Sequence, residues 1–511
     1  AIAMTISWGK RLEYRLLRWQ ARFEGAVFDR TFPWIAGCVV WIIFILLALA
    51  KSRELSQTSD FAAVMQSVWL IGEGYTPESS LLGQNYLASQ GGFLIYPIAL
   101  LTALFPTAIT LIVIQSAALS FAIVPIWRLS RNIADLRAGT STIVIAIYGS
   151  YSAIHSLNLS GFRLETFAVP AMLSFALSAY GNKKYKYWFM AILALLSRAD
   201  LGLLVAGFGV LWILEGKKKL GYQTIALGLA WSTIFILGIQ PLYNGGVYPH
   251  LEAFAQYGVG NPFAVLWGIV INPLTFINEL FSEANFQVAV ALLAPLLFLP
   301  MVAPRYVLPA LPLFALYLTA DVPTNELTES GQRVPVIVCM FIALIFALRK
   351  TGRIIVQRVN VDRTVIGALL ITASVFFVSN SVASPYEDPW EWGRRQPVDQ
   401  ARLEVAELIP QEAVVRASPK LLPLLTERVA LWEFEVPETY DDQLADDAVR
   451  NVDWFVFDRT EVPIVWTGVD VLDFQSDLKI SKRFVRVFNK AGIEAYVTPQ
   501  AATIAGLEPI D

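Results

Sequence analysis

The chain has 511 residues, of which 56% are hydrophobic and 16% charged, with a mean hydropathy of +0.54. A water-soluble globular protein of this length is excluded by so much apolar surface, and a polytopic α-helical membrane protein is expected. The net charge of -3 hides an asymmetry: residues 381–511 hold 24 acidic and 13 basic side chains, against 18 acidic and 26 basic elsewhere, so a basic-edged membrane body is joined to an acidic tail.

Residues 5–30 alternate basic and apolar side chains, as a helix lying on an anionic leaflet does, which puts residues 1–33 on the cytoplasmic side. No small-residue cleavage site follows, so Trp34 to Ala50 is expected to persist as a span. A span needs about 20 apolar residues, fewer when its flanks snorkel. Segments near 34–50, 108–127, 138–155, 165–181, 187–199, 200–215, 222–241, 286–304, 306–320, 334–349 and 364–381 meet that pattern, giving about 11 spans. With the amino terminus inside, the basic connections Arg128 to Arg137, Asn182 to Lys186, Gly216 to Gly221 and Arg349 to Arg363 all fall on the cytoplasmic side. The protein is accordingly expected to be a multi-pass plasma-membrane protein with its carboxyl terminus outside.

The membrane domain, 34–381, then carries two outer loops, 51–107 and 242–285. The first opens on Asp60, followed by an apolar run, Phe61 to Ile71, that reads as a helix lying on the membrane, the loop forming a lid over the bilayer. Its second helix, Phe93 to Phe105, is too short to cross; a full span there would invert the charge pattern that follows. In the second loop Asn244-Gly245-Gly246 marks a turn, and Phe263 to Val270 is a similar short helix. From residue 382 the composition shifts to short β-rich runs and intervening helices, which predicts an extracytoplasmic α/β domain over 382–511 with no phosphate loop and no nucleophile set. Two cysteines, Cys38 and Cys339, fall in predicted spans, so no disulfide framework is expected. His155 and His250 read as polar anchors at loop or span edges.

The candidate chemistry gathers on the outer side. Asp60 follows Thr58 and Ser59, a position where helix N-caps sit, and capping alone accounts for it on local grounds. Glu73, Arg163, Glu165, Arg198 and Asp200 share its side of the membrane. Carboxylates that activate a hydroxyl beside guanidiniums that hold a phosphate suit group transfer from a lipid phosphate. The helix dipole accounts equally for Glu165, and a structural ion pair for Arg198 and Asp200.

Several runs in this order, S-D-F-A-A-V-M-Q-S-V-W, N-Y-L, F-R-L-E, S-R-A-D, L-F-L-P-M-V-A-P and A-E-L-I-P-Q-E-A-V-V, resemble those of a family of predicted bacterial membrane proteins related to the GT-C class of membrane glycosyltransferases. The resemblance spans residues 34–500 and rests on loose motifs. It implies a GT-C-like fold, a polyprenyl-phosphate sugar as donor, a cell-envelope glycan, lipid or protein as acceptor, transfer with inversion, and a first-loop carboxylate, here Asp60, as general base. Arg198 or Arg163 would bind the donor phosphate, and Glu165, Glu73 and Asp200 would orient the acceptor or a metal. No cofactor is required, a divalent cation being the one admissible addition. The family tends to carry a histidine where this chain has Gln90, and F-H-P-E where it has Phe162-Arg163-Leu164-Glu165. The expected partners are membrane lipids and, through residues 382–511, a protein, with no nucleic acid. The alternative is a non-catalytic GT-C-like scaffold that holds a partner through its outer domain.

Overall fold

In the computed structural model the described residues are 25–243, 251–321, 331–355, 357–386, 392–434, 452–460, 465–466, 469–470 and 483–510. The basic stretch 5–24, the turn at 244–246 and His250 lie outside them.

The chain is mostly helical. Helix α1 (Ala26–Arg53) is followed by α2 (Ser59–Gly72), a two-stranded ladder β1–β2 (Glu78–Ser79, Gln84–Asn85), α3 (Tyr86–Gln90) and α4 (Ile95–Thr102). Next come α5 (Thr107–Ile133), α6 (Ala138–Ser150), α7 (Ser152–Leu159), α8 (Leu164–Tyr180), α9 (Lys184–Ser197), α10 (Leu201–Leu214) and α11 (Lys218–Tyr243). Helices α12 (Pro262–Ile271) and α13 (Pro273–Leu280) meet at 92°. They lead to α14 (Glu283–Leu293), α15 (Leu311–Leu318), α16 (Val334–Thr351), the hairpin β3–β4 (Arg353–Ile355, Arg358–Asn360) and α17 (Arg363–Asn380).

All eleven apolar segments of the sequence contain helix, but they are not equal. Among the described residues five helices, α1, α5, α11, α16 and α17, are long and apolar enough to cross a bilayer by themselves, or six if the bent α12–α13 pair is one span. Prolines explain the irregularity before α15: Pro300, Pro304 and Pro309 each stand at the start of a single 3₁₀ turn and break the region there, because each lacks the N–H that an α-helix needs. Helix α16 is buried on every side from Val334 to Leu348 and is the axis of the main core; apolar all round, it has no polar face to turn outward. By contrast α1, α11 and α17 leave large apolar side chains such as Ile35, Leu46, Leu229 and Ile371 exposed, as lipid-facing helices do.

Helices α10 and α11 approach with backbone almost touching. A Cβ on Gly228 would lie 2.3 Å from the Gly202 carbonyl oxygen, and one on Gly209 2.7 Å from that of Gly221. This is the small-residue contact by which helices pack where burial from water gives no drive. At the opposite end from Asp60, fully buried Arg131 grips Asp29 at 2.7 and 3.0 Å and donates to the Leu136 carbonyl at 2.6 Å.

Beyond α17, helix α18 (Pro397–Leu408) precedes strands β5 (Val415–Ala417), β6 (Leu431–Glu433), β7 (Trp454–Asp458), β8 (Val485–Lys490) and β9 (Ile493–Val497), and α19 (Pro499–Ala505) follows. The strands form one sheet in the order β8-β9-β7-β5-β6, with β5, β6 and β7 parallel and the other pairs antiparallel. Arg402 of α18 is buried between Asp399 of the same helix and Asp458 at the end of β7, which also accepts from Thr460.

One expectation needs correction. Helix α2 does not lie open on a membrane surface: protein covers both its faces. Phe61, Val64, Met65 and Val68 pack with Tyr86, Ile95, Ile98, Leu111 and Phe162, while Ala62 enters the core of the C-terminal sheet. The physical reason is that α2 is apolar nearly all round, a pattern satisfied by two protein partners as well as by lipid.

Candidate active site

Asp60 is not the cap of α2. The Thr58 hydroxyl accepts from the Phe61 amide, which leaves the Asp60 carboxylate free in the first turn, 72% exposed. Its partner is Arg163, with Nη2 3.4 Å from Oδ2. Arg163 sits in the turn between α7 and α8, and that turn is pinned from beneath. Buried Gln115 of α5 accepts from the Arg163 amide at 2.6 Å and donates to the Leu157 and Gly161 carbonyls at 2.8 and 2.6 Å. Gly161, at φ +101°, is needed on two counts: its conformation is left-handed, and a Cβ there would press on Phe61 Cβ at 3.1 Å. The backbone of Arg163 is therefore set, and its guanidinium reaches over the start of α2. A part-exposed pair of this kind contributes at most about 1 kcal/mol, so it orients Asp60 rather than holding the fold together. Arg163 Nε is buried with no hydrogen-bond partner.

A second cluster lies deeper. Arg198, in the turn between α9 and α10, contacts Glu165 Oε1 through Nη1 at 3.4 Å and Asp200 Oδ2 through Nε at 3.1 Å, and lies 5.6 Å from the Tyr317 ring centre. The Tyr317 hydroxyl donates to Asp200, whose Oδ1 is buried without a partner. Burial alone would lower the Arg198 pKa, but the charge of Asp200, with that of Glu165, outweighs it and the guanidinium is held protonated. The first loop closes over this turn. The Leu94 amide donates to the Leu196 carbonyl at 3.1 Å, and Gly92 is so close to the turn that a Cβ would meet Leu164 at 2.5 Å and the Ser197 carbonyl at 3.2 Å. Tyr86, at the start of α3, is buried within electrostatic reach of Glu165, Arg198 and Arg163; burial, then Glu165, raises its pKa. The two clusters therefore border one side chain.

Five of the six residues singled out in the sequence, Asp60, Arg163, Glu165, Arg198 and Asp200, are thus brought together. Glu73 is not among them: it caps the far end of α2, thirteen residues and about 20 Å of helix from Asp60. Arg198 also differs from expectation, since two carboxylates surround one guanidinium and leave that cluster with a net charge of -1, unfavourable for a phosphate. His155 is a correction as well: it is buried on α7, its Nε2 2.8 Å from the Gly149 carbonyl and its ring edge-on to Phe44. Gln115, Tyr86 and Tyr317 escaped sequence reasoning. Gln115 carried a usable signal, being a lone amide inside an apolar span. Among the described residues no three of His, Cys, Asp or Glu converge as metal ligands.

A family described as "Predicted membrane protein (DUF2079)" matches residues 51–475. No curated protein sequence matches the chain. The fold matches that of ArnT from Cupriavidus metallidurans, in a crystal structure of its apo state, with a TM-score of 0.50 at 12% identity, over 92% of this chain and 98% of that one. At that identity the likeness is one of fold alone.

Proposed function

The chain belongs to the DUF2079 family of predicted membrane proteins, and from that premise we propose that it is a membrane glycosyltransferase moving a sugar from a polyprenyl-phosphate donor to an extracytoplasmic cell-envelope acceptor. The observation that carries this reading is Asp60, an exposed carboxylate with Arg163 3.4 Å away, on a fold shared with ArnT. The acceptor hydroxyl attacks the anomeric carbon as Asp60 takes its proton. The bond from that carbon to the phosphate oxygen breaks on the opposite side, the configuration inverts, and polyprenyl phosphate leaves with the electron pair. Arg163 meets the charge on the leaving phosphate; Arg198 is engaged by Glu165 and Asp200 and serves to present those carboxylates to acceptor hydroxyls. Since the leaving group is a lipid phosphate rather than a nucleotide diphosphate, a fixed guanidinium suffices and the scheme includes no metal. We place the Asp60 end outside the cell, with eleven spans, a membrane domain over 34–381 and an extracytoplasmic domain over 382–511. The basic connections at the opposite end support that orientation.

The test is turnover by the purified protein in nanodiscs, with a polyprenyl-phosphate hexose as donor and an envelope fraction as acceptor. Asp60→Asn should keep donor binding and lower release of polyprenyl phosphate by about 100-fold or more, whereas Arg163→Gln should weaken donor binding. Release by Asp60→Asn at the wild-type rate would remove Asp60 as the base, and no release by the wild type would remove the enzyme reading and leave the scaffold reading in its place.

A further inference from the structure

The end of α2 remote from Asp60 opens on a groove of about 520 Å³, bounded by Trp69, Gly72 and Glu73 of α2, by Thr102 and Phe105 near the α4–α5 turn, and by Glu427 from the C-terminal sheet region. Two carboxylates and no basic residue line it. Its charge is not neutralised from behind. Arg428, next to Glu427, is buried with its guanidinium donating to the Leu425, Pro410 and Ala413 carbonyls, and among the described residues neither Glu73 nor Glu427 has an ion-pair partner. The carboxyl end of α2 adds the negative pole of its helix dipole at the same place. The lower lip is the reverse in character: Leu100, Leu104 and Phe105 are exposed, and Ile109 on the next helix extends the same apolar surface.

Negative wall above, apolar lip below, and an aromatic side chain between them complement one kind of ligand. We propose that this groove binds an ammonium-bearing lipid from the adjoining leaflet, its amine between Glu73 and Glu427 and its acyl chains along Leu100 and Leu104. A metal ion fits less well, because among the described residues no third His, Cys, Asp or Glu joins the two carboxylates. The site lies about 20 Å along α2 from Asp60 and does not depend on the transferase reading. It also gives Glu73 a role that its distance from Asp60 denies it in the proposed reaction.

The full chain is placed in phosphatidylglycerol nanodiscs doped either with phosphatidylethanolamine or with its N-acetyl derivative, and retained lipid is counted by native mass spectrometry. Two carboxylates facing one amine should favour the free amine by about tenfold, with the preference lost in the Glu73→Gln/Glu427→Gln double variant and kept in Asp60→Asn. Both glutamates are exposed, so the double variant should melt with the wild type, which separates lost binding from lost folding. Equal retention of the two lipids by the wild type, a preference that survives the double variant, or displacement of the lipid by an equal concentration of free ethanolamine would overturn the proposal.

Discussion

Gln66 stands at the seam between the helical body and the C-terminal sheet, and Gln66→Ala tests how that seam is held. The side chain is fully buried at the middle of α2. Its Nε2 donates to Ser80 Oγ at 2.8 Å and to the Arg428 and Val429 carbonyls at 3.1 and 3.3 Å, while its Oε1 accepts from Ser79 Oγ at 2.6 Å and from the Leu81 amide at 3.4 Å. Ser80 keeps its bonds to Leu431 in the variant, but Ser79 Oγ, the Leu81 amide and the Arg428 and Val429 carbonyls lose Gln66 as a partner. Each buried group left without a partner costs about 1–3 kcal/mol, part of which entering water restores, so the expected loss is about 3 kcal/mol. Hydrogen exchange reads this directly: if the seam opens as a unit, protection of the α2 and β6 amides should fall about 100-fold. Gln57→Ala serves as control, since that half-buried amide makes one bond, to Ser52 at 2.9 Å, and should change protection by less than about threefold. If Gln66→Ala leaves α2 and β6 protected as in the wild type, water already satisfies these groups and the seam is not a dry joint.

Three other outcomes are expected. Gly228→Val should separate α10 from α11 and lower the melting temperature in detergent, because its Cβ would meet the Gly202 carbonyl oxygen at 2.3 Å and the Ala206 amide at 2.7 Å, backbone atoms that cannot rotate away; Gly238→Ala, with nothing within 4 Å, should melt with the wild type. Arg131→Met should cost about 3 kcal/mol in denaturant titration by leaving Asp29 unpaired, and adding Asp29→Asn should recover part of the loss; no recovery would mean that the bond to the Leu136 carbonyl dominates. Burial, reinforced by the hydrogen bond to Glu494, pushes the Tyr496 phenol from 10 up to about 12. A folded-state value above the unfolded one contributes stability that is complete below pH 10 and lost as pH rises through 12, so the wild type should lose its advantage over Tyr496→Phe across that window when unfolding midpoints are compared.

Much of the architecture was legible because it is written in local periodicity. An apolar run of fifteen or more residues has few alternatives to helix, and prolines at 300, 304 and 309 mark where that helix must break. The glycines of α10 and α11 are visible in the chain too, at 202, 209, 221 and 228, but their facing one another follows from the antiparallel crossing. Helix α2 shows the limit. Its apolar surface announced burial without naming the partner, and a membrane was inferred where the C-terminal sheet supplies the cover, because hydrophobicity is non-directional.

The candidate site divides in the same way. Residue type, with the placement of basic connections, was enough to bring Asp60, Arg163, Glu165, Arg198 and Asp200 to one end of the molecule. It could not separate Glu73 from them, since one end of the bundle is wider than the reach of any side chain and α2 spends about 20 Å crossing it. Nor could it assign charge partners: Arg163 faces Asp60 across 103 positions of chain and Arg198 faces Glu165 across 33. Those pairings depend on the Gln115 bonds beneath one turn and the Gly92 contact above the other, each made between segments far apart in the chain. What the sequence by itself determined is therefore which segments are helical and which charged residues share an end; which carboxylate is exposed and which guanidinium is already neutralised was decided by tertiary packing, because Coulomb and hydrogen-bond energies depend on distances of a few ångströms that no local pattern encodes.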